Sequence, residues 1–164
     1  MKILIISDSH GAYRNIISAI KQNKDIGAIF FLGDGERDLE NALAECNIYP
    51  YGEYKGIEIY QVCGNCDIRS TEAVTITTVI EGHKLLITHG FAQHVKYGLD
   101  ELRNEARHKN CCAALYGHTH IAHLSISDGI ILFNPGSVRN GSYGILKVGD
   151  EGLEFKHRNL FTAF

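Results

Sequence analysis

Seven side chains that can bind a transition metal each follow an apolar stretch of the sequence. The first two, Asp8 and His10, come shortly after the apolar residues 3–6 and are separated by one residue. In extended backbone such side chains point to the same side, so both can reach one ion. The complete set is Asp8, His10, Asp34, Asn65, His89, His118 and His120.

The number and the types of these side chains predict a pair of metal ions. Seven ligands exceed what one tetrahedral ion needs, whereas two ions about 3.5–4 Å apart with one bridging carboxylate would use them. Imidazole nitrogens among the carboxylates argue against magnesium or calcium, which prefer oxygen. Manganese, iron, nickel or zinc fits the set better, and we expect manganese.

Each motif taken alone also has a purely structural explanation. Gly33-Asp34 is a common turn, and Asn65 tolerates a left-handed conformation. The Gly-His-Thr-His motif would also suit an exposed strand. Five polar motifs, each after an apolar stretch and most beside a glycine, nevertheless favour a functional site over a chance arrangement of surface residues.

The apolar stretches and the helical periodicity between them predict an α/β fold. Residues 3–6 and 28–32 are typical of buried strands, and helical spacing follows each of them, over residues 13–23 and 38–46. This βαβα order predicts a parallel sheet, whose ligands bind beyond the carboxyl ends of the strands. Further strands are predicted at residues 57–63, 73–80, 84–88, 113–116, 123–127, 130–134, 143–148 and 153–157, with a loop at 49–56 and a helix at 99–109. We expect a parallel first half, a mostly antiparallel second half, and two sheets packed face to face with helices outside.

Length and composition predict one domain and exclude several classes of protein. A chain of 164 residues suits a single domain spanning residues 1–164. The net charge of −3 shows no excess of positive charge, which binding to nucleic acid or an anionic membrane would need. No apolar run approaches the length of a membrane span. The apolar residues before Asp8 are too few for a secretion signal, so we expect a cytoplasmic protein. Five cysteines without an export signal argue against a disulfide framework.

The order and spacing of the motifs resemble the calcineurin-like metallophosphoesterases, and more narrowly their small, single-domain microbial phosphodiesterase branch. The resemblance runs from the first strand to the last and rests on Asp8-Ser9-His10, Gly33-Asp34, Gly64-Asn65-Cys66-Asp67, His89-Gly90, Gly117-His118-Thr119-His120, Asn134-Pro135-Gly136-Ser137 and Ser142-Tyr143-Gly144-Ile145-Leu146. It implies a four-layer αββα sandwich, in which two mixed β-sheets are flanked by helices and a dinuclear site lies at one rim. The retromer scaffold subunit shares this fold.

The resemblance also implies a role for each ligand. One metal would be held by Asp8, His10 and His120, the other by Asn65, His89 and His118, with Asp34 as the bridge. The two cations would lower the pKa of a shared water, and the resulting hydroxide would attack phosphorus while Asn65 helps to stabilise the phosphoryl oxygens. Asp38, one helical turn after Asp34, is either a residue that orients a ligand or an exposed helix carboxylate.

The chain departs from the common pattern of this family at two positions. Cys66 stands where many members have a histidine that acts as general acid or charge stabiliser, although the small-phosphodiesterase branch often carries cysteine there. We therefore count Cys66 with Asp34 and Asn65 as catalytic. Phe91 stands where many members have a polar residue, and His94 is a candidate substitute for it.

The expected function is that of a metal-dependent phosphodiesterase that hydrolyses a small or artificial diester with two divalent transition metal ions. A phosphomonoesterase of the same fold is one alternative, and a non-catalytic protein-binding scaffold like the retromer subunit is another. Because a scaffold need not keep the metal ligands, the presence of all seven favours an enzyme. The expected partner is a small phosphodiester rather than a membrane or nucleic acid, and assembly into a homo-oligomer stays open.

Overall fold

Residues 1–48 and 56–162, which a computed structural model describes, form ten β-strands and three α-helices. The strands are β1 (Lys2–Ile6), β2 (Ala28–Phe31), β3 (Glu58–Gln61), β4 (Thr75–Ile80), β5 (His83–Thr88), β6 (Ala113–Leu115), β7 (Ala122–Ser127), β8 (Ile130–Pro135), β9 (Ser142–Gly149) and β10 (Gly152–Asn159). The helices are α1 (Tyr13–Gln22), α2 (Glu36–Glu45) and α3 (Asp100–His108).

The strands form two mixed five-stranded sheets. In the first sheet the order is β10-β9-β1-β2-β3, with β1, β2 and β3 parallel and the remaining pairs antiparallel. In the second sheet the order is β4-β5-β6-β8-β7, with β5, β6 and β8 parallel and the outer strands antiparallel to their neighbours. Because parallel strands end at the same edge of a sheet, the segments that follow β1, β2, β5 and β6 can meet at one rim.

The packing around β1 shows the order of the layers, because this strand is covered on both faces. Ile3 and Ile5 belong to the core between the two sheets, whereas Leu4 and Ile6 pack with residues of α1 and α2. Helix α3 covers the outer face of the second sheet through residues such as Leu102. The layers therefore run α-β-β-α, which confirms the predicted four-layer sandwich.

One apolar face of each helix anchors the loop that precedes it. Ile16 and Ile20 in α1, and Leu39 and Leu43 in α2, lie one turn apart and are buried against the first sheet. Truncating a buried side chain of this kind to alanine costs roughly 2–5 kcal/mol. This packing holds the loops at residues 7–12 and 32–35 close to the rim of the sheet.

The path of the chain departs from the expectations in two places. The strands from residue 122 onwards are mostly antiparallel to their neighbours, as expected, but β8 runs parallel to β6. Helix α2 begins at Glu36 rather than at residue 38, because the Asp67 carboxylate accepts hydrogen bonds from the backbone N–H groups of Gly35 (2.8 Å) and Glu36 (3.0 Å) and so caps the helix. Of the loop predicted at residues 49–56, all but the last residue lies outside the described part of the chain.

No helix in residues 1–48 and 56–162 combines the length and apolar character needed to span a membrane.

Candidate metal centre

The predicted ligands follow the carboxyl ends of strands in both sheets, and the structure brings six of them together at one rim. Asp8 lies two residues after β1, Asp34 three residues after β2, and His89 directly after β5. His118 and His120 lie just after β6. Five histidine and aspartate positions fall with Asp34 into two separate groups, one around Asp8 and the other around Asp34, and a third group of His10, Asp34 and Cys66 links them.

The first group contains Asp8, His10 and His120, whose ligand atoms lie within 4.8 Å of one another. His120 Nε2 is 3.1 Å from Asp8 Oδ1 and 3.2 Å from His10 Nε2. Two nitrogens bound at about 2.1 Å to one tetrahedral ion would be about 3.4 Å apart. The spacing of the two imidazoles therefore fits a transition metal ion between them.

The Asp8 carboxylate provides a second test of this fit, through the same Oδ1 that lies 3.1 Å from His120 Nε2. Asp8 is fully buried, and its Oδ2 accepts hydrogen bonds from the Ser7 hydroxyl (2.6 Å) and the His118 backbone N–H (3.1 Å). Its Oδ1 has no hydrogen-bond partner among residues 1–48 and 56–162. A buried carboxylate oxygen without a partner is costly, and a bound cation would satisfy it.

The second group contains Asp34, His89 and His118. His89 Nε2 is 3.2 Å from His118 Nδ1 and 3.3 Å from Asp34 Oδ2. His89 Nδ1 is 2.7 Å from the carbonyl oxygen of Leu32, which can only accept, so Nδ1–H donates to it. In the neutral imidazole this hydrogen bond leaves the Nε2 lone pair facing the group, as a metal ligand requires.

Asp34 lies between the two groups. Its Oδ1 accepts a hydrogen bond from the backbone N–H of Cys66 at 2.8 Å. Its Oδ2 is 3.3 Å from His89 Nε2 and 3.7 Å from His10 Nε2, so a single oxygen faces one histidine of each group. This position suits a carboxylate that binds two ions at once.

Close packing of charged groups shifts several pKa values in the metal-free site. Burial opposes ionisation of Asp34, but the hydrogen bond and charge of His89 outweigh it and hold the pKa of Asp34 well below its usual range. Burial also opposes the charge on His89, yet Asp34 and Asp8 outweigh it and raise the pKa of His89. Burial, followed by the charges of His89 and Lys96, lowers the pKa of His118. Without metal, Asp34 and Asp8 therefore favour the protonated form of His89, whose charge would balance part of theirs.

Cys66 and Asn65 lie at the outer side of the site. The Cys66 thiol forms a third group with His10 and Asp34, and burial followed by the nearby Asp34 raises its pKa, which favours the protonated thiol. Asn65 is exposed, and its side-chain amide lies 3.3 Å from Cys66 Sγ. It therefore adjoins the groups through Cys66. Among the described residues, it is the one predicted ligand without a hydrogen bond or ion pair to another predicted ligand.

Two other predicted side chains also have defined positions. Asp38 accepts hydrogen bonds from the Ser9 hydroxyl (2.6 Å) and the Gly11 backbone N–H (2.7 Å), and so holds the loop on both sides of His10. His94 lies 2.9 Å from Glu101, and both side chains are 64% exposed. His94 belongs to none of the three ligand groups found in the described residues.

The backbone of the site is strained at the ligands themselves. Five ligands have left-handed backbone, with φ values of 56° at Asp8, 40° at His10, 59° at Asp34, 66° at His118 and 61° at His120. Residues other than glycine rarely adopt this conformation, and such strain persists where the surrounding structure enforces it. The expectation of extended backbone at Asp8 and His10 is therefore wrong, and a strained loop brings their side chains into one group instead.

Close contact between two loops fixes the position of Asp34. A Cβ atom at Gly33, where φ is +92°, would lie 2.6 Å from the Gly64 backbone nitrogen, and a Cβ atom at Gly64 would overlap Asp34 Oδ1. The Asp67 carboxylate joins the same two loops, since its Oδ2 accepts hydrogen bonds from the backbone N–H groups of Asp34 and Gly64, each at 2.8 Å.

Sequence reasoning gave no role to three polar residues that hold the ligand loops. Besides Asp67, they are Asn134 and Ser137, both buried. The Asn134 side chain donates to the Gly117 carbonyl oxygen at 2.8 Å, and the Ser137 hydroxyl donates to the Asp8 carbonyl oxygen at 2.8 Å. The motifs that contain them were visible in the sequence, but their partners were not.

Both a family model and a curated relative that match this chain are phosphoesterases. Residues 1–150 match the family model of the calcineurin-like phosphoesterase superfamily domain. The chain is 28% identical over 158 residues to the probable metallophosphoesterase YsnB of Bacillus subtilis (strain 168), an alignment that covers 92% of this chain and 86% of the relative.

Several solved structures share the fold. A conserved uncharacterised protein of Streptococcus pneumoniae TIGR4 has a TM-score of 0.78 and 21% identity, covering 97% of this chain and 89% of the other. A novel archaeal phosphodiesterase has a TM-score of 0.73 and 22% identity, covering 97% and 99%. Vps29 of Entamoeba histolytica complexed with Zn²⁺ has a TM-score of 0.68 and 17% identity, covering 98% and 99%.

Proposed function

The chain belongs to the calcineurin-like phosphoesterase superfamily, and from this premise we propose that it is a phosphodiesterase that uses two transition metal ions, with manganese as the expected metal. Membership of the family supports a hydrolase that acts on phosphoesters with divalent metal ions. The proposal goes further in the number of ions, their identity and the preference for a diester.

The observation that carries the proposal is the position of Asp34 between two groups of ligands. Asp8, His10 and His120 would hold one ion, His89 and His118 with Asn65 the other, and Asp34 Oδ2 would bind both. Nitrogen and oxygen donors in this mixture suit manganese, iron, nickel or zinc. When bound, two such ions supply an activated water and neutralise charge on phosphoryl oxygens.

The residues of the chain supply positioning and proton chemistry. The strained loops and their hydrogen bonds hold the ligands before any ion binds, so little reorganisation is needed. Exposed Asn65 would donate its side-chain N–H to a phosphoryl oxygen at the second ion. Cys66 Sγ, with its raised pKa, would face the departing alcohol as a neutral thiol that carries no positive charge.

A diester is the proposed substrate because the archaeal phosphodiesterase shares this fold over almost the full length of both chains. The first alternative is a phosphomonoesterase, which would use the same ligands. The second is a protein-binding scaffold, and binding of a metal alone would not separate a scaffold that keeps these ligands from an enzyme. Turnover has to be measured together with metal content.

The proposal is tested with metal-stripped protein that is refilled with one metal at a time. Bis(p-nitrophenyl) phosphate and p-nitrophenyl phosphate share a leaving group and differ in the second ester, so their rates compare diester and monoester directly. We expect two transition ions per chain by elemental analysis, faster hydrolysis of the diester, and loss of activity with a chelator. Faster hydrolysis of the monoester would favour the first alternative, and metal binding without turnover of either compound would favour the scaffold.

A further inference from the structure

A cleft of about 500 Å³ opens beside the candidate metal centre. It is lined by His10, Asp34 and Cys66 of the centre, by the start of α2 and by the loop at residues 66–70. A cleft of this size can enclose an organic group as large as a nucleotide. A phosphoryl group at the metal centre would therefore extend one of its ester arms into it.

Two carboxylates that line the cleft are already committed to hydrogen bonds within the protein. Asp67 accepts from four backbone N–H groups, all at 2.8–3.0 Å. Asp38 accepts from the Ser9 hydroxyl and the Gly11 backbone N–H. These side chains build the walls of the cleft, and they are poorly placed to bind a cationic group of a ligand as well.

Two arginines, by contrast, lie in the same cleft with their charges available. Arg37 is in the first turn of α2 and Arg69 is in the facing loop, and both are exposed. Among residues 1–48 and 56–162, no carboxylate lies within ion-pair distance of either guanidinium. Arg69 also has left-handed backbone, with φ of 68°, which is uncommon outside glycine and is typical of constrained functional loops.

We propose that this cleft binds an ester arm that carries a second anionic group, a phosphate or a carboxylate, through Arg37 and Arg69. The proposal rests on the proposed function, because it needs a phosphoryl group at the metal centre. A guanidinium binds such an anion with two parallel hydrogen bonds. Ile68, which is 86% exposed and lines the same cleft, offers an apolar surface to the carbon chain or ring that links the two anionic groups.

The competing ligand is an arm with a positive charge. Five carboxylates line the cleft against two arginines, so its net charge disfavours an anion. Selection of an anionic arm depends instead on the directed N–H donors of the guanidinium groups. A comparison of anionic, neutral and cationic arms on one phosphonate separates these possibilities.

The test measures binding of three methylphosphonate monoesters of one linear alcohol, which ends in a carboxylate, a carboxamide or an ammonium group. Calorimetry with the manganese-loaded full chain is expected to show about five- to tenfold tighter binding of the carboxylate than of the carboxamide. Arg37→Ala and Arg69→Ala should each bring this ratio close to one. Arg158→Ala removes an exposed arginine of β10 outside the cleft, and should leave the ratio unchanged.

Hydrolysis of bis(p-nitrophenyl) phosphate, which carries no second anion, is measured on the same preparations. Turnover together with equal affinities, or with tighter binding of the ammonium compound, would overturn the cleft proposal and leave the phosphodiesterase proposal standing. A carboxylate preference that requires both arginines, without turnover, would support the cleft proposal and count against the phosphodiesterase. Failure of all three phosphonates to bind would overturn the cleft proposal.

Discussion

Asp67 joins two of the loops that carry the candidate metal centre, and an amide in its place is expected to loosen both. Its Oδ2 accepts from the backbone N–H groups of Asp34 and Gly64, each at 2.8 Å, and its Oδ1 accepts from those of Gly35 at 2.8 Å and Glu36 at 3.0 Å. In Asp67→Asn, the amide oxygen can keep two of these bonds. The amide NH₂ then faces the other two backbone N–H groups, and because both sides are donors, no hydrogen bond can form there.

The size of the effect follows from the number of hydrogen bonds that are lost. A hydrogen bond to a charged group contributes about 1.5–3 kcal/mol, so two lost bonds would cost at most about 3–6 kcal/mol. Asp67 is only partly buried, and water can replace part of what is lost. We therefore expect the free energy of unfolding to fall by about 3 kcal/mol. In a chain of this length that corresponds to a decrease in Tm of about 6–12 °C.

The assay is thermal unfolding of the metal-free protein, followed by circular dichroism. Asp25→Asn is the matched control, because the Asp25 side chain is 74% exposed and pairs with Lys2 at the surface; its Tm should fall by less than about 3 °C. A manganese titration of Asp67→Asn should have a midpoint about tenfold higher than wild type, since the backbone of Asp34 is no longer held. A Tm for Asp67→Asn equal to that of the control would refute the role assigned to the four hydrogen bonds.

Other changes are expected to separate the roles of the site residues. Asp34→Asn should weaken binding of both ions and lower turnover by orders of magnitude, whereas His94→Ala should have a smaller effect; wild-type rates for Asp34→Asn would exclude a bridge. Cys66→His should accelerate diesters with alkyl leaving groups and leave nitrophenyl diesters nearly unchanged, because imidazolium supplies both a proton and a positive charge. The slope of log rate against leaving-group pKa measures this, and equal slopes would show that residue 66 takes no part. The raised pKa of His89 means that its charge stabilises the metal-free fold fully below its ordinary value of 6.5, and that this stability is lost as pH rises through the folded pKa. Because a metal binds only the neutral imidazole, the increase in Tm that manganese causes should grow from about pH 6 to pH 8, and a constant increase would contradict the assignment.

The sequence predicted which side chains would meet, because strand ends obey a simple geometric rule. The apolar residues 3–6 identified a buried strand, and Asp8 and His10 followed at the end where parallel strands place their ligands. The same reasoning applied to Asp34 and His89, which the structure places 3.3 Å apart although they are 55 positions apart in the chain. The pattern of strands and helices already favoured two sheets packed face to face with helices outside, and the resemblance specified this order as an αββα sandwich.

The residues that hold the ligand loops could not be identified in this way. Ser137 binds the carbonyl oxygen of Asp8, which is 129 positions away, and Asp67 binds backbone N–H groups 31 to 33 positions away. Their partners are backbone groups, which every residue carries, so the side chains at the partner positions give no signal. The parallel pairing of β6 with β8 was missed for a related reason, because the hairpin turn at Asp128-Gly129 specifies only one neighbour of β8.

The close contact between Gly33 and Gly64 determines which positions at the rim tolerate substitution and which do not. Any side chain at either glycine would push the backbones apart and displace Asp34, so mutational libraries that include these positions would mostly yield proteins with a damaged centre. A few residues further along the same loop, Ile68 and Arg69 are exposed and face the cleft. An engineer who wants a different substrate preference would therefore randomise residues 68–70 and keep residues 33–35 and 64–67 fixed.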